Sequence, residues 1–225
     1  MAKIASLTLN AMKKRNYTLI DQVCLCFDQA LRTVCNSPHT TNRRYPAQSI
    51  PETQMTSKER QHAGAILRIN HAGEVAAQAL YQAQSITSDN ISLKETLQEA
   101  AVEEGDHLAW CQKRIVELGS HTSYLNPFWY AGSFIIGLIA GTMGDQWSVS
   151  FLAETEHQVV MHLEHQLKSL HPKDKRSAAI LQQMQCDEAN HRDHAHTAGA
   201  HNLPNWIKKS MRFLSQVMVK TAYWV

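Results

Sequence analysis

Two Glu-x-x-His pairs, Glu104/His107 and Glu188/His191, and two lone glutamates, Glu74 and Glu156, are the residues of this 225-residue chain whose types and spacing could do chemistry. One glutamate from each of two helices, plus one Glu-x-x-His from each of two others, is the ligand set of a carboxylate-bridged di-metal centre inside a four-helix bundle. Six oxygen and imidazole ligands for two metals suit iron or manganese. They do not suit zinc, which favours four-coordinate sites with thiolates or imidazoles. A ferrous pair can give two electrons to dioxygen together and so attack an unreactive C–H position. The requirement is that six side chains, distant along the chain, meet.

Four helices are predicted to bring them together. Thr56 and Glu59 form a capping box that opens a helix to about Ile86. After a turn at 87–90, Ser92 and Glu95 form a second, opening a helix to about Leu118 that Gly119 ends. A third helix is predicted from about 145 to 170, before Pro172, and a fourth from about 174–177 to Ala198. No strand alternation is present. The prediction is an all-α four-helix bundle.

Facing, height and charge each argue for convergence. Spacings of three and four put Glu74 among Ala63, Leu67, Ala77 and Tyr81, and Glu156 among Leu152, Val159, Leu163 and Leu167. Leu97, Ala100, Leu108, Cys111 and Ile115 flank Glu104 and His107, while Leu181, Met184 and Ala195 flank Glu188 and His191. Glu74 and Glu104 each lie fifteen residues from Asp89, and Glu156 and Glu188 each lie sixteen from Pro172. At about 1.5 Å per residue, two antiparallel hairpins bring each pair level. Four carboxylates crowded in a core cannot all stay ionised unaided, and two divalent cations would neutralise them.

Several similar residues are set aside. Glu154/His157 is also a Glu-x-x-His, but its side of the helix, with Met161 and His165, reads as solvated surface. Glu154→Ala is therefore expected to be nearly silent, whereas Glu156→Ala is expected to lose metal and destabilise the fold. His162 and His165 lack matching carboxylates. Glu103 points about 100° away from Glu104. His71 reads equally as a residue orienting a ligand or as an ordinary helix-face histidine, and His194 and His196 as exposed.

The formal charge of +2 gives no argument for a nucleic-acid partner. The five cysteines (Cys24, Cys26, Cys35, Cys111, Cys186) are scattered, which fits a reducing compartment, and Cys24 with Cys26 cannot close a zinc site. Residues 1–16 are basic without an acid and read as an arm in preference to an organelle-targeting sequence. A short amphipathic helix is predicted over 18–34, with Ile20, Cys24, Phe27 and Leu31 on one side, and 36–55 reads as a linker. The chain is thus expected to divide into an N-terminal arm, helix and linker (1–55) and a bundle (56–225).

Arg68-Ile-Asn-His-Ala-Gly-Glu74-Val, Glu104-Gly-Asp-His107-Leu-Ala-Trp, Ala153-Glu-Thr-Glu156-His-Gln-Val and Asp187-Glu188-Ala-Asn-His191 together resemble the demethoxyubiquinone hydroxylase family. The resemblance runs from about residue 57 to the end, with a weaker echo around 20–31. It implies a ferritin-like di-iron monooxygenase fold with one long crossover. It also implies hydroxylation of 3-demethoxyubiquinol to 3-demethylubiquinol with dioxygen and a reductant, NADH being the donor suggested. Glu74, Glu104, His107, Glu156, Glu188 and His191 match the family's iron ligands, with Glu104 and Glu188 as the bridging pair. Other pathway proteins are candidate partners, and homo-oligomerisation is left open. Competing classes are a tRNA-modifying or fatty-acyl di-iron enzyme, an iron-storage bundle and a quinone-binding scaffold.

A polyprenyl quinol lives in a bilayer, so membrane contact is expected. Residues 119–144 carry no Asp, Glu, Lys or Arg. Segment 127–144 is short for a span and reads as a crossover helix whose outer side touches lipid. Segment 205–225 puts Ile207, Met211, Leu214, Met218 and Ala222 on one face and Lys208, Lys209, Arg212 and Lys220 elsewhere. Membrane docking and packing on the bundle are equal readings of that face. The expected location is the cytoplasmic side of a bacterial membrane, peripherally attached, with the mitochondrial inner membrane as second choice.

Overall fold

The computed structural model describes residues 18–35 and 38–225. The basic arm expected at 1–16 lies outside the described residues. The described residues form seven α-helices and no strand: α1 (Leu19–Val34), α2 (Ser57–Thr87), α3 (Ile91–Glu117), α4 (Asn126–Thr142), α5 (Asp145–Ser169), α6 (Lys175–Thr197) and α7 (Asn205–Ala222). Helices α2 and α3 make one hairpin, α5 and α6 a second, and α4 crosses between them along α2.

The helix starts follow side-chain chemistry. Thr56 caps α2 with the expected capping box, its hydroxyl accepting from the Glu59 N–H. For α3 the cap is Asn90, whose side chain accepts from the N–H groups of Ser92 and Leu93, so the Ser92/Glu95 box does not form. Both residues are good caps, and the turn selects the earlier one. Asp174 caps α6 through the Ser177 N–H.

The core is layered. Leu67, Cys111, Ile115, Leu163, Leu181 and Met184 belong to one apolar cluster, and Tyr81, Leu97, Val149, Leu152 and Ala195 to a second. On every bundle helix the candidate ligands fall between the residues of these two clusters. Water is thereby excluded from both ends of the acidic layer. Helix α4 can lie close to α2 because Gly137 and Gly141 lack side chains. A Cβ at Gly137 would sit 2.6 Å from the Leu80 carbonyl oxygen, and one at Gly141 would sit 1.8 Å from the Thr87 hydroxyl.

Three further sequence expectations need correction. Segment 38–55, read as a linker, is a strap that packs on the bundle: Tyr45 and Ala47 are buried in its core. Arg176 donates to the carbonyls of Ala47 and Ile50 to fasten it. On α7, Met218 and Ala222 pack against Ile69, Ala72 and Trp129, yet Leu214 from the same predicted face is half exposed. Trp206, Phe213 and Val217 form a separate outward stripe at spacings of seven and four.

Glu154 is not solvated. Helix α7 covers it, leaving it 8% exposed, and Lys208 pairs with it at 3.1 Å. Gln158 donates a further hydrogen bond at 2.8 Å. Glu154→Ala is therefore expected to cost about 1.5–3 kcal/mol, the usual worth of hydrogen bonds to a charged group. Denaturant titration of the metal-free protein measures this. His157, the other member of that Glu-x-x-His, is exposed, as read from the sequence.

Candidate metal centre

All six predicted residues converge. Oxygens and nitrogens of Glu74, Glu104, His107 and Glu188 lie within 4.8 Å of one another, as do those of Glu104, Glu156, Glu188 and His191. Glu104 and Glu188 belong to both groups and so sit between them. The four glutamates and His107 are at most 4% exposed, and the His191 side chain is 10% exposed.

Both imidazoles turn Nδ1 inward. His107 Nδ1 lies 2.8 Å from Glu104, 3.1 Å from Glu188 and 3.9 Å from Glu74. His191 Nδ1 lies 3.3 Å from Glu104 and 3.4 Å from Glu188. Their Nε2 atoms point outward to acids from the opposite helix: His107 to Asp187 at 3.0 Å, His191 to Glu103 at 2.7 Å. A ring hydrogen-bonded through Nε2 presents the Nδ1 lone pair.

The sequence reading missed these two acids, although it contained a signal. Each Glu-x-x-His is immediately preceded by an acid, Glu103-Glu104 and Asp187-Glu188. The preceding acid is rotated by about 100°, which carries it to the flank facing the partner helix. His71 contacts Asn126 at 3.4 Å and makes no bond to a candidate ligand among the described residues. Burial lowers its pKa to about 4, so it is neutral. His162 contacts Gln166, while His165, His194 and His196 are exposed.

The chemistry of the donor set fits a pair of cations. Glu104 Oε1, Glu156 Oε1, both Glu188 oxygens and His191 Nδ1 are buried without an aligned hydrogen bond among the described residues. Orphaned acceptors of this kind are costly unless a further group satisfies them. Protonation also reveals the strain. Burial, reinforced by neighbouring carboxylates, pushes Glu74 and Glu156 well above the usual carboxylate range. Burial opposes ionisation of Glu104 and Glu188 as well, but the imidazoles beside them hold both below it. Burial opposes protonation of His107 and His191, yet the same carboxylates raise both, His191 to about 12.

In a metal-free centre these shifts favour the protonated forms of Glu74, Glu156, His107 and His191. Cations must displace the protons. Loading two divalent ions is expected to release up to four protons, one from each of these groups, so affinity falls as pH falls. Calorimetry in buffers of different ionisation enthalpy counts the released protons.

Comparison with known proteins decides the family. The profile of the family described as "Ubiquinone biosynthesis protein COQ7" matches residues 61–222. The chain belongs to this family. The 3-demethoxyubiquinol 3-hydroxylase of Nitrosococcus oceani is 51% identical over 214 residues, covering 95% of this chain and 100% of that protein. The protein of the same name from Nitrosomonas eutropha is 48% identical, covering 92% and 99% of the two chains. That from Aromatoleum aromaticum is 47% identical, covering 91% and 99%. The COQ7 family is ferritin-like, and the bundle with its single long crossover takes that form here. All six candidate ligands fall within the matched stretch.

Proposed function

We propose that this chain is a di-iron monooxygenase of ubiquinone biosynthesis that hydroxylates 3-demethoxyubiquinol to 3-demethylubiquinol. The observation that carries the reading is the buried double cluster of carboxylates and imidazoles with orphaned inward atoms. It occurs in a chain about half identical, over nearly its whole length, to proteins named for that reaction. Glu74 and His107 would hold one iron, Glu156 and His191 the other, and Glu104 and Glu188 would bridge them. When bound, a ferrous pair supplies the two electrons that insertion of one oxygen atom from dioxygen requires, with water as the second product and NADH as a candidate donor to restore the pair.

The chain's own residues would bind and orient the quinol. A cavity of about 990 Å³ opens between α1, α2, α3 and α4. Phe27, Leu97, Val102, Tyr130, Phe134 and Ile135 give it apolar walls suited to an isoprenoid tail. Gln78 and Ala101 also line it, four residues after Glu74 and three before Glu104. One end of the cavity therefore lies about one helical turn from the carboxylates. Tyr81 and Gln82 offer polar groups along the way.

Among the described residues, no helix is long and apolar enough to cross a membrane. Peripheral attachment fits the outward residues Phe128, Ile135 and Ile139 of α4 and the Trp206, Phe213 and Val217 stripe of α7. Lys209 is three residues from Trp206, and Lys220 three from Val217, so positive charge borders the stripe. Flotation with anionic vesicles should carry the protein upward, and Phe213→Ser should weaken it.

The activity test is direct. Protein loaded anaerobically with ferrous iron receives a short-chain demethoxyquinol, a reductant and ¹⁸O-labelled dioxygen. The expected product carries one labelled hydroxyl, and metal-free protein yields none. Unlabelled or unhydroxylated quinol from the loaded protein would overturn the reading.

A further inference from the structure

The strap reaches the outer side of the metal centre. At Gly105, next to Glu104, the His39 carbonyl approaches so closely that an added Cβ would lie 1.7 Å from its oxygen. Asp106 accepts from the Thr41 N–H at 3.0 Å and also from the Thr41 hydroxyl. In Glu104-Gly-Asp-His107, the outer pair thus faces the centre and the inner pair holds the strap.

Two residues further on, Arg43 Nη2 lies 2.8 Å and 3.0 Å from the two oxygens of Asp187. Asp187 in turn holds His107 Nε2 at 3.0 Å. The Arg43 guanidinium also lies 5.0 Å from the centre of the Trp110 ring. Trp110 packs against the imidazole of His107, with ring centroids 5.4 Å apart. Arg43 therefore acts on the His107 ring by two routes, one through its hydrogen bond and one through its packing. Among the described residues His191 has no equivalent arrangement: its partner Glu103 is 44% exposed and makes no hydrogen bond to the strap.

We propose that Arg43 is a positioning residue for the half of the centre that contains His107, fixing that imidazole through Asp187 and Trp110 so that Nδ1 faces Glu104, Glu188 and Glu74. The proposal rests on the six-ligand reading above. The imidazole torsion is broad in the absence of partners. An acceptor on Nε2 selects both the tautomer and the orientation that leave Nδ1 free for a metal. Arg43 keeps the Asp187 carboxylate in place by a two-oxygen contact, assisted by Gln183 at 3.0 Å. Arg43 lies before the stretch matched by the family profile, so the four-helix core does not carry all of the centre's support.

The test uses full-length chain and a readout independent of turnover. Cobalt(II) is titrated anaerobically into wild type, Arg43→Ala, Arg43→Lys and Gly105→Ala, followed by visible absorption, with circular dichroism as a check on folding. Wild type is expected to bind two ions. Arg43→Ala should bind one ion as wild type does and the other about 10–100-fold more weakly, the usual cost of losing an outer partner of a ligand. Its cobalt spectrum should change. Arg43→Lys, which retains the charge, should recover part of the loss. Gly105→Ala, which moves the strap and touches no carboxylate, should reproduce the Arg43→Ala pattern. Two wild-type affinities and an unaltered spectrum in Arg43→Ala would overturn the proposal. Equal weakening of both ions together with a lowered melting temperature would also overturn it, since that is the mark of general destabilisation. Wild-type protein that takes up no metal pair would instead sink the six-ligand reading beneath it.

Discussion

Glu156→Ala is expected to reduce bound iron from two per chain to one or none and to slow quinol hydroxylation at least about 1000-fold, or about 4 kcal/mol of activation free energy. Glu156 is 1% exposed, and its Oε1 has no hydrogen-bond partner among the described residues. Nothing nearby could replace it, because the other three carboxylates already serve the two clusters. The stability effect depends on metal. Without cations, burial first and Glu188 second push Glu156 towards its neutral form. Glu156 makes no ion pair among the described residues, so, unlike the general destabilisation expected from the sequence, the metal-free variant should melt close to metal-free wild type. With cations the wild type gains about 2.7 kcal/mol per ion at a concentration one hundred times the dissociation constant. The variant should lose that gain. Iron analysis and melting curves with and without metal separate the two contributions. Glu156→Gln, which retains the shape, should behave like the alanine variant.

Arg114→Met is expected to destabilise the whole protein by about 3–5 kcal/mol, the cost of breaking a buried ion pair from one side. Arg114 is fully buried. It donates to Asp174 at 2.9 Å, Ser177 at 3.0 Å, Glu52 at 3.1 Å and Glu117 at 3.1 Å. One side chain thus joins α3, the cap of α6 and the strap. Asp174 is 2% exposed, so its carboxylate would remain buried without a cation. Urea titration of metal-free protein checks this; the loss should be the same with and without metal, whereas that of Glu156→Ala should appear only with metal.

The site was legible because its determinants are local. Helical spacing places Glu74 and Glu156 on apolar stripes, and equal distances from two turns set the heights. Both features follow from helix geometry alone. The Thr56/Glu59 capping box marked the start of α2 for the same reason. The misreadings concern contacts between elements without such periodicity. Segment 38–55 is rich in turn formers, and nothing along it announces that Tyr45 and Ala47 enter the core. Glu154 looks solvated on a lone α5 and becomes buried only because α7 lies over it with Lys208. On α7 two apolar faces compete, and the surface beneath the helix chooses between them. Ile20, Cys24, Phe27 and Leu31 of α1 are all exposed, Phe27 at the open cavity. Ala30 and Val34 seat that helix, with Thr33 bonded to Gln78 at 2.9 Å. Asp187 and Glu103 were visible as residues, but their tasks depend on which helix faces which.

Mössbauer spectroscopy of wild-type protein titrated with ⁵⁷Fe tests the central claim most directly. The account predicts saturation at two irons per chain, in similar oxygen and nitrogen surroundings, that couple magnetically when oxidised because Glu104 and Glu188 lie between them. Saturation at a single iron, or two irons that remain magnetically independent after oxidation, would contradict it.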